Sequence, residues 1–127
     1  FVAETGVDTL AVAIGTRHGH YSHVEKPELR MDLLEKIHEA VDIPLVLHGG
    51  SDNKDEEIRK TYYHGVTKIN LSTDMKTAFF KQLRQNLADN PEAYEPDQLF
   101  PSARQAAQDL IESKMDLFNS TDKADLY

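Results

Sequence analysis

The chain has 127 residues, 22 acidic against 14 basic side chains, a formal net charge of −8 and no cysteine. Without thiols there can be no disulfide and no thiolate metal site, so any metal must rest on His, Asp or Glu. The acidic balance argues against a general nucleic-acid binder, which normally presents a basic surface. It leaves room for a phosphorylated small molecule, because anion sites are local and can be built from backbone amides.

The length fits one domain, and the 39% hydrophobic and 28% charged composition is that of an ordinary globular protein. No apolar run approaches the length that crosses a bilayer. The opening residues show neither the basic stretch nor the small-residue cleavage site of a secretory leader. A cytoplasmic protein without a membrane partner is the expectation.

In chain order, Phe1-Val2-Ala3-Glu4-Thr5-Gly6 reads as the last turn of a helix and its glycine stop. Residues 10–14, all aliphatic, read as a first buried strand. Leu29, Leu33, Leu34, Ile37 and Val41 recur at helical spacing, with Glu28, Glu35, Lys36 and Glu39 on the opposite side. Residues 44–47 make a second buried strand. Residues 55–64 form a shorter helix ended by Gly65. A third strand, residues 66–71, is less clean because it contains Lys68. Ala78, Phe79, Leu83 and Leu87 mark another helix, with Thr73 or Asp74 at its start. Residues 90–101 contain three prolines and read as a loop. A last helix follows, with Ala103, Ala106, Ala107, Leu110, Ile111, Met115 and Phe118 as its buried stripe.

Strands alternating with helices imply an α/β fold with a parallel sheet. Three parallel strands leave two open edges, and a domain seldom begins on the last turn of a helix. Both features lead to the expectation that further barrel or sheet precedes Phe1.

Polar clusters follow each strand: Gly15-Thr16-Arg17-His18-Gly19-His20, then His48-Gly49-Gly50-Ser51, then Asn70-Leu71-Ser72-Thr73. Sites in parallel α/β folds form at the C-terminal ends of the strands, so the three clusters converge on one place. His48 beside two glycines and a serine suits a metal ligand next to an anion nest. It equally suits a strand-end histidine over a tight turn. His18, His20 and His23 could gather round zinc, which accepts imidazoles with one open position when catalytic. For His20 and His23 the reading as surface residues of a polar loop weighs more. Ser72, Thr73 and Asp74 match routine helix capping as well as a phosphate held at a helix start. Asn70, polar and still within the strand, needs a partner, which favours the site. His38 and His64 read as structural, the carboxylates of residues 52–57 as helix-start charges, and Tyr62 and Tyr63 as packed residues.

The strings Leu10-Ala11-Val12-Ala13-Ile14-Gly15-Thr16-Arg17-His18-Gly19, Pro44-Leu45-Val46-Leu47-His48-Gly49-Gly50-Ser51 and Lys68-Ile69-Asn70-Leu71-Ser72-Thr73-Asp74 together resemble class II ketose-bisphosphate aldolases, in the tagatose- and fructose-bisphosphate branch. The resemblance is colinear to about residue 77. It implies that residues 1–127 are the C-terminal part of a single (β/α)8 TIM-barrel domain. It implies Zn(II) that polarises a ketose carbonyl and stabilises the enediolate of reversible aldol cleavage, yielding dihydroxyacetone phosphate and an aldehyde phosphate.

Carried over by motif, His18 and His48 are expected as two zinc ligands. Gly19, Gly49, Gly50, Ser51, Asn70, Leu71, Ser72 and Thr73 are expected to hold the phosphorylated ketose. A monovalent cation near the glycine loops is a further expectation, without assignable ligands. So are a homo-oligomer, dimeric or tetrameric, and a place in glycolytic carbohydrate metabolism. The family's Asp base and its adjacent zinc-binding His come from an earlier strand and have no counterpart here. Where relatives continue His-Gly-Gly-Ser with Gly and Pro, this chain has Asp52, Asn53 and Lys54, and Ser72 replaces the usual Ala or Asp. Asp52 favours an alternative: a sugar-phosphate binder or a lyase for another ketose or aldonate phosphate on the same fold. A non-catalytic α/β binding domain is the third reading, and the open sheet edges count against it.

Overall fold

The computed structural model describes residues 1–16, 28–51 and 53–126. They form two compact units, Phe1–Leu71 and Ser72–Tyr127.

The first unit contains α1 (Val2–Thr5), β1 (Leu10–Val12), α2 (Met31–Ala40), β2 (Leu45–Leu47), α3 (Asp55–Thr61), a 3-10 turn (Tyr62–His64) and β3 (Val66–Ile69). The strands are parallel in the order β1-β2-β3, so the α/β fold expected from the alternating pattern is the one observed. Each strand is shorter than its apolar run. Ile14, fully buried, has left the ladder, and its carbonyl accepts the N–H of Arg30 at 2.9 Å. Pro44 has no N–H to give the sheet, but its carbonyl accepts the N–H of Leu10 at 3.0 Å.

Leu45 and Leu47 of β2 are fully buried together with Ile14, Leu34 of α2 and Ile58 and Thr61 of α3. The aliphatic run in the central strand and the single stripes on its helices thus meet in one core. Thr61 is the polar member, and its hydroxyl donates to the carbonyl of Ile58 at 2.7 Å, which removes the penalty of burying it. At the start of α2, Arg30 donates twice to Asp32, both at 2.8 Å, and holds that carboxyl down at about 2.

Both glycine stops adopt the left-handed conformation, Gly6 at φ 64° and Gly65 at φ 80°. Tyr62 is half-buried, and burial raises its phenol pKa. Tyr63, expected to pack, is 84% exposed, because the tight 3-10 turn directs adjacent side chains to different sides.

The second unit contains α4 (Thr73–Asp89), α5 (Pro96–Leu117) and a final 3-10 turn (Ala124–Leu126). Residues 90–101 are not all loop. Helix α5 begins at Pro96, because proline at the first helical position fixes a helical φ where no N–H is required. Pro101 lies inside α5, and Asn86 of α4 reaches across beside it, donating to the carbonyl of Leu99 at 2.6 Å and to the Ser102 hydroxyl at 2.8 Å.

The buried stripe of α5 also differs from expectation. Leu99, Ala103 and Leu117 are buried, with Ala106, Ala107 and Leu110 half-buried, whereas Ile111 and Met115 are exposed. With 3.6 residues per turn, 99, 103, 106, 110 and 117 share one face, and 111 and 115 fall outside it. Starting the helix at Pro96 is what brings Leu99 into the stripe.

Gly65 carries a test of this frame. A Cβ there would lie 2.3 Å from Nδ1 of His38, and the backbone would have to keep its positive φ. Since the exposed His38 ring can swing aside, the backbone is the harder constraint. Gly65→Ala should destabilise the full-length protein by about 1–2 kcal/mol. Chemical denaturation should give the same loss in a His38→Ala background, and a rescue there would place the constraint in the ring.

Candidate active site

Parallel register brings the strand ends together. Val12 pairs with Leu47 and Leu47 with Ile69, so the polar segments that follow leave the sheet along one edge. Ile14 and Arg30, joined backbone to backbone, put both flanks of residues 17–27 at the end of β1. His18 and Gly19, with Arg17, His20 and His23, lie outside the described residues, as does Asp52.

His48 follows β2 directly and is exposed, while Gly49, Gly50 and Ser51 behind it are buried. Gly49 takes φ 66°, the left-handed conformation that lets the chain turn sharply here. Gly50 is packed against β3, where a Cβ would meet Cγ2 of Ile69 at 2.6 Å. Its N–H is turned toward the carbonyl of Asn70 in a long contact of 3.4 Å. That amide therefore faces β3.

The turn is closed by a residue that sequence reasoning passed over. Asn53 donates from one amide nitrogen to the carbonyls of Gly49, at 2.8 Å, and Ser51, at 3.1 Å. Both carbonyls are thereby drawn to the Asn53 side of the turn. The signal was present as an Asn two residues past a Gly-Gly-Ser, since Asn side chains commonly bond to nearby backbone.

A bulge in β3 decides which side chains join His48. Leu45 pairs with Val66, but Val46 pairs with Lys68 and Leu47 with Ile69, leaving Thr67 as an extra residue. A one-residue slip exchanges the faces of a strand. Lys68 and Asn70 therefore share the face of Val46 and His48. The contact follows: the Asn70 amide nitrogen lies 3.0 Å from Nε2 and 3.4 Å from Nδ1 of His48. Asn70 itself is fixed by its main chain, its N–H donating to Leu47 at 2.9 Å. The expectation that Asn70 turns toward the strand-end site agrees with this geometry. Leu71, half-buried, closes the first unit.

Ser72 and Thr73 begin the second unit. Ser72 occupies the N-cap position of α4 without a side-chain cap bond, and its carbonyl accepts the N–H of Lys76 at 3.1 Å. The capping expected of this stretch is thus not made by the Ser72 hydroxyl. Thr73 is the first helical residue and is half-buried.

The fit to a metal is partial. The Asn70 amide nitrogen is close to both ring nitrogens, so it stands over the ring rather than along either in-plane lone pair, and a neutral imidazole has one such lone pair to offer a metal. Among the described residues no group of three His, Asp or Glu is gathered. His48 offers one imidazole at the strand edge, and no metal site is assembled around it among the described residues.

A parallel βα sheet with polar turns at the C-terminal strand ends defines an α/β protein, and the solved structures it matches make this a part of the TIM-barrel type. The sequence matches the family model for class II fructose-bisphosphate aldolase over residues 1–123, and the chain belongs to that family. Solved structures agree. The YdjI aldolase of Escherichia coli K12 is 33% identical, with a TM-score of 0.82 over 97% of this chain and 42% of that one. A candidate fructose-1,6-bisphosphate aldolase of Coccidioides immitis is 29% identical, with a TM-score of 0.80 over 98% of this chain and 42% of that one. A fructose-bisphosphate aldolase of Campylobacter jejuni, at 23% identity and TM-score 0.71 over 88% of this chain and 40% of that one, supports the fold alone. The chain thus spans about two fifths of the length of these proteins.

Asn53 gives the local test. Asn53→Ala should loosen the turn and cost about 1 kcal/mol. Asn53→Asp should cost more, because an acceptor-only carboxylate would face two carbonyls. Thermal unfolding of the two variants orders them, and an Asp variant as stable as wild type would refute the clamp.

Proposed function

We propose that this chain works as the C-terminal portion of a class II aldolase that reversibly cleaves a ketose 1,6-bisphosphate of fructose or tagatose type. The products are dihydroxyacetone phosphate and an aldehyde phosphate. The observation that carries the reading is the Asn70 amide beside His48 at the C-terminal strand edge, with the buried Gly49-Gly50-Ser51 turn behind it.

In this reading His48 and His18 are zinc ligands, and the N-terminal half of the protein supplies a third His and the Asp base. Bound Zn(II) would supply Lewis-acid polarisation of the ketose carbonyl. His48 directly follows the most buried strand, which fixes where its main chain stands. Asn70 presents an NH2 group beside that ring and can donate to a substrate oxygen carrying developing negative charge. Gly19, Gly49, Gly50, Ser51 and Leu71 bind the phosphorylated ketose largely through backbone groups. Ser72 and Thr73 belong to the same proposed substrate-binding set. A monovalent cation near the glycine loops, a dimeric or tetrameric assembly and a cytoplasmic role in carbohydrate metabolism belong to the same proposal. No helix among the described residues is long and apolar enough to cross a membrane.

A second reading is favoured by the segment after the glycines. Asp52 adds a negative charge next to the turn, and Asn53 clamps it. Both features suit a lyase for a different ketose or aldonate phosphate, and a panel of phosphorylated substrates distinguishes the two.

His48→Ala in the full-length protein should abolish chelator-sensitive cleavage while the circular dichroism spectrum stays native. Full zinc content and turnover in that variant would remove His48 from the ligand set. Thr73→Ala should raise KM for the phosphorylated ketose roughly tenfold or more, the scale of one lost hydrogen bond to a charged group. A change in Tm with KM untouched would make Thr73 a helix-start residue only.

A further inference from the structure

Lys68 has no part in the function above. In the sequence it interrupts an apolar strand, and in the structure the bulge sets it opposite Val46, two residues before Asn70 on the same face. Its Nζ donates to Oδ1 of Asn70 at 2.8 Å.

An ammonium group has donors and no acceptor. The contact therefore settles which end of the Asn70 amide is which, a choice that only the hydrogen-bond network can make. With the oxygen facing Lys68, the NH2 must face His48, where it lies 3.0 Å from Nε2.

We propose that Lys68 is a positioning residue that fixes the polarity of the Asn70 amide, so that a donor rather than an acceptor stands beside His48. The reverse orientation would put a carbonyl oxygen, an acceptor, beside the ring and against any electron-rich substrate oxygen, and the second of those contacts is repulsive.

The main chain of Asn70 is held independently of Lys68. Its N–H donates to Leu47 at 2.9 Å and its carbonyl faces the Gly50 N–H at 3.4 Å. Removing the ammonium thus releases the rotation of one amide and leaves the strand in place. Lys68 is exposed, so the contact acts on orientation far more than on stability. Its consequence for turnover rests on the aldolase reading, whereas the contact itself does not.

Lys68→Met and Lys68→Arg in the full-length protein test the proposal with two readouts. The first is the ring 15N signal of His48 in metal-free protein. It should move in the Met variant and stay near wild type in the Arg variant, which keeps a donor. The second is steady-state cleavage of the ketose bisphosphate. The Met variant should lose roughly tenfold or more in kcat through misplacement of a group at the reacting centre, with KM and Tm little changed and Arg restoring much of the rate. An unmoved His48 signal in the Met variant overturns the proposal whatever the turnover, and so does an Arg variant that behaves like Met. If the Met variant does not fold, Lys68→Gln, with a neutral donor, takes its place and should shift the signal less than loss of the Asn70 amide in Asn70→Ser. A moved signal in a protein that cleaves no ketose bisphosphate would refute the aldolase reading and leave the positioning of Asn70 by Lys68 standing.

Discussion

The parallel pairing of β2 with a bulged β3 is the constraint on which the site depends. Parallel strands share one C-terminal edge, so the segments after Leu47 and Ile69 emerge together. Were Thr67 paired with Val46 in regular register, Lys68 would fall opposite Leu47, and Asn70 would turn away from His48. The bulge moves both side chains to the His48 face, and main-chain bonds from Asn70 to Leu47 and Gly50 hold them there. Burial of Leu45 and Leu47 under α2 and α3 makes that register costly to change. Core packing and site geometry are therefore one arrangement seen from the two faces of the same sheet.

A chain of net charge −8 still carries polar groups of fixed direction at this strand edge. The described groups are an imidazole, a carboxamide whose NH2 faces that ring, and a glycine turn whose Gly50 N–H meets the Asn70 carbonyl. Asn53 draws two turn carbonyls to its own side, and Lys68 holds the Asn70 oxygen away from His48. In each case a polar side chain controls the direction of a dipole at the strand edge. Pre-set dipoles of this kind need no reorganisation when charge develops, which is why they matter more than net charge.

The order of elements was legible because aliphatic runs and helical stripes are strong periodic signals. Gly6 and Gly65 were read as helix stops and adopt the left-handed conformation that the reading requires. The place of Asn70 was legible from the cost of leaving an amide without a partner. Pro96 misled because proline both breaks helices and begins them, and only packing decides between the two. Once α5 began earlier than expected, Leu99 entered its buried stripe and Ile111 and Met115 left it. Asn53 and the bulge at Thr67 were not legible, since each depends on a contact between segments that no local pattern encodes. The roles assigned to His48 and the glycine turn came from resemblance, with the spacing alone leaving a structural histidine equally acceptable.

The central claim is that His48, standing beside Asn70, is a ligand of the catalytic metal. The measurement that bears on it most directly is anomalous diffraction at the zinc edge from crystals of the full-length protein. The account predicts a peak about 2.0–2.1 Å from a ring nitrogen of His48, the usual zinc–imidazole distance. A fully occupied zinc bound elsewhere, with His48 remote from it, would contradict the account.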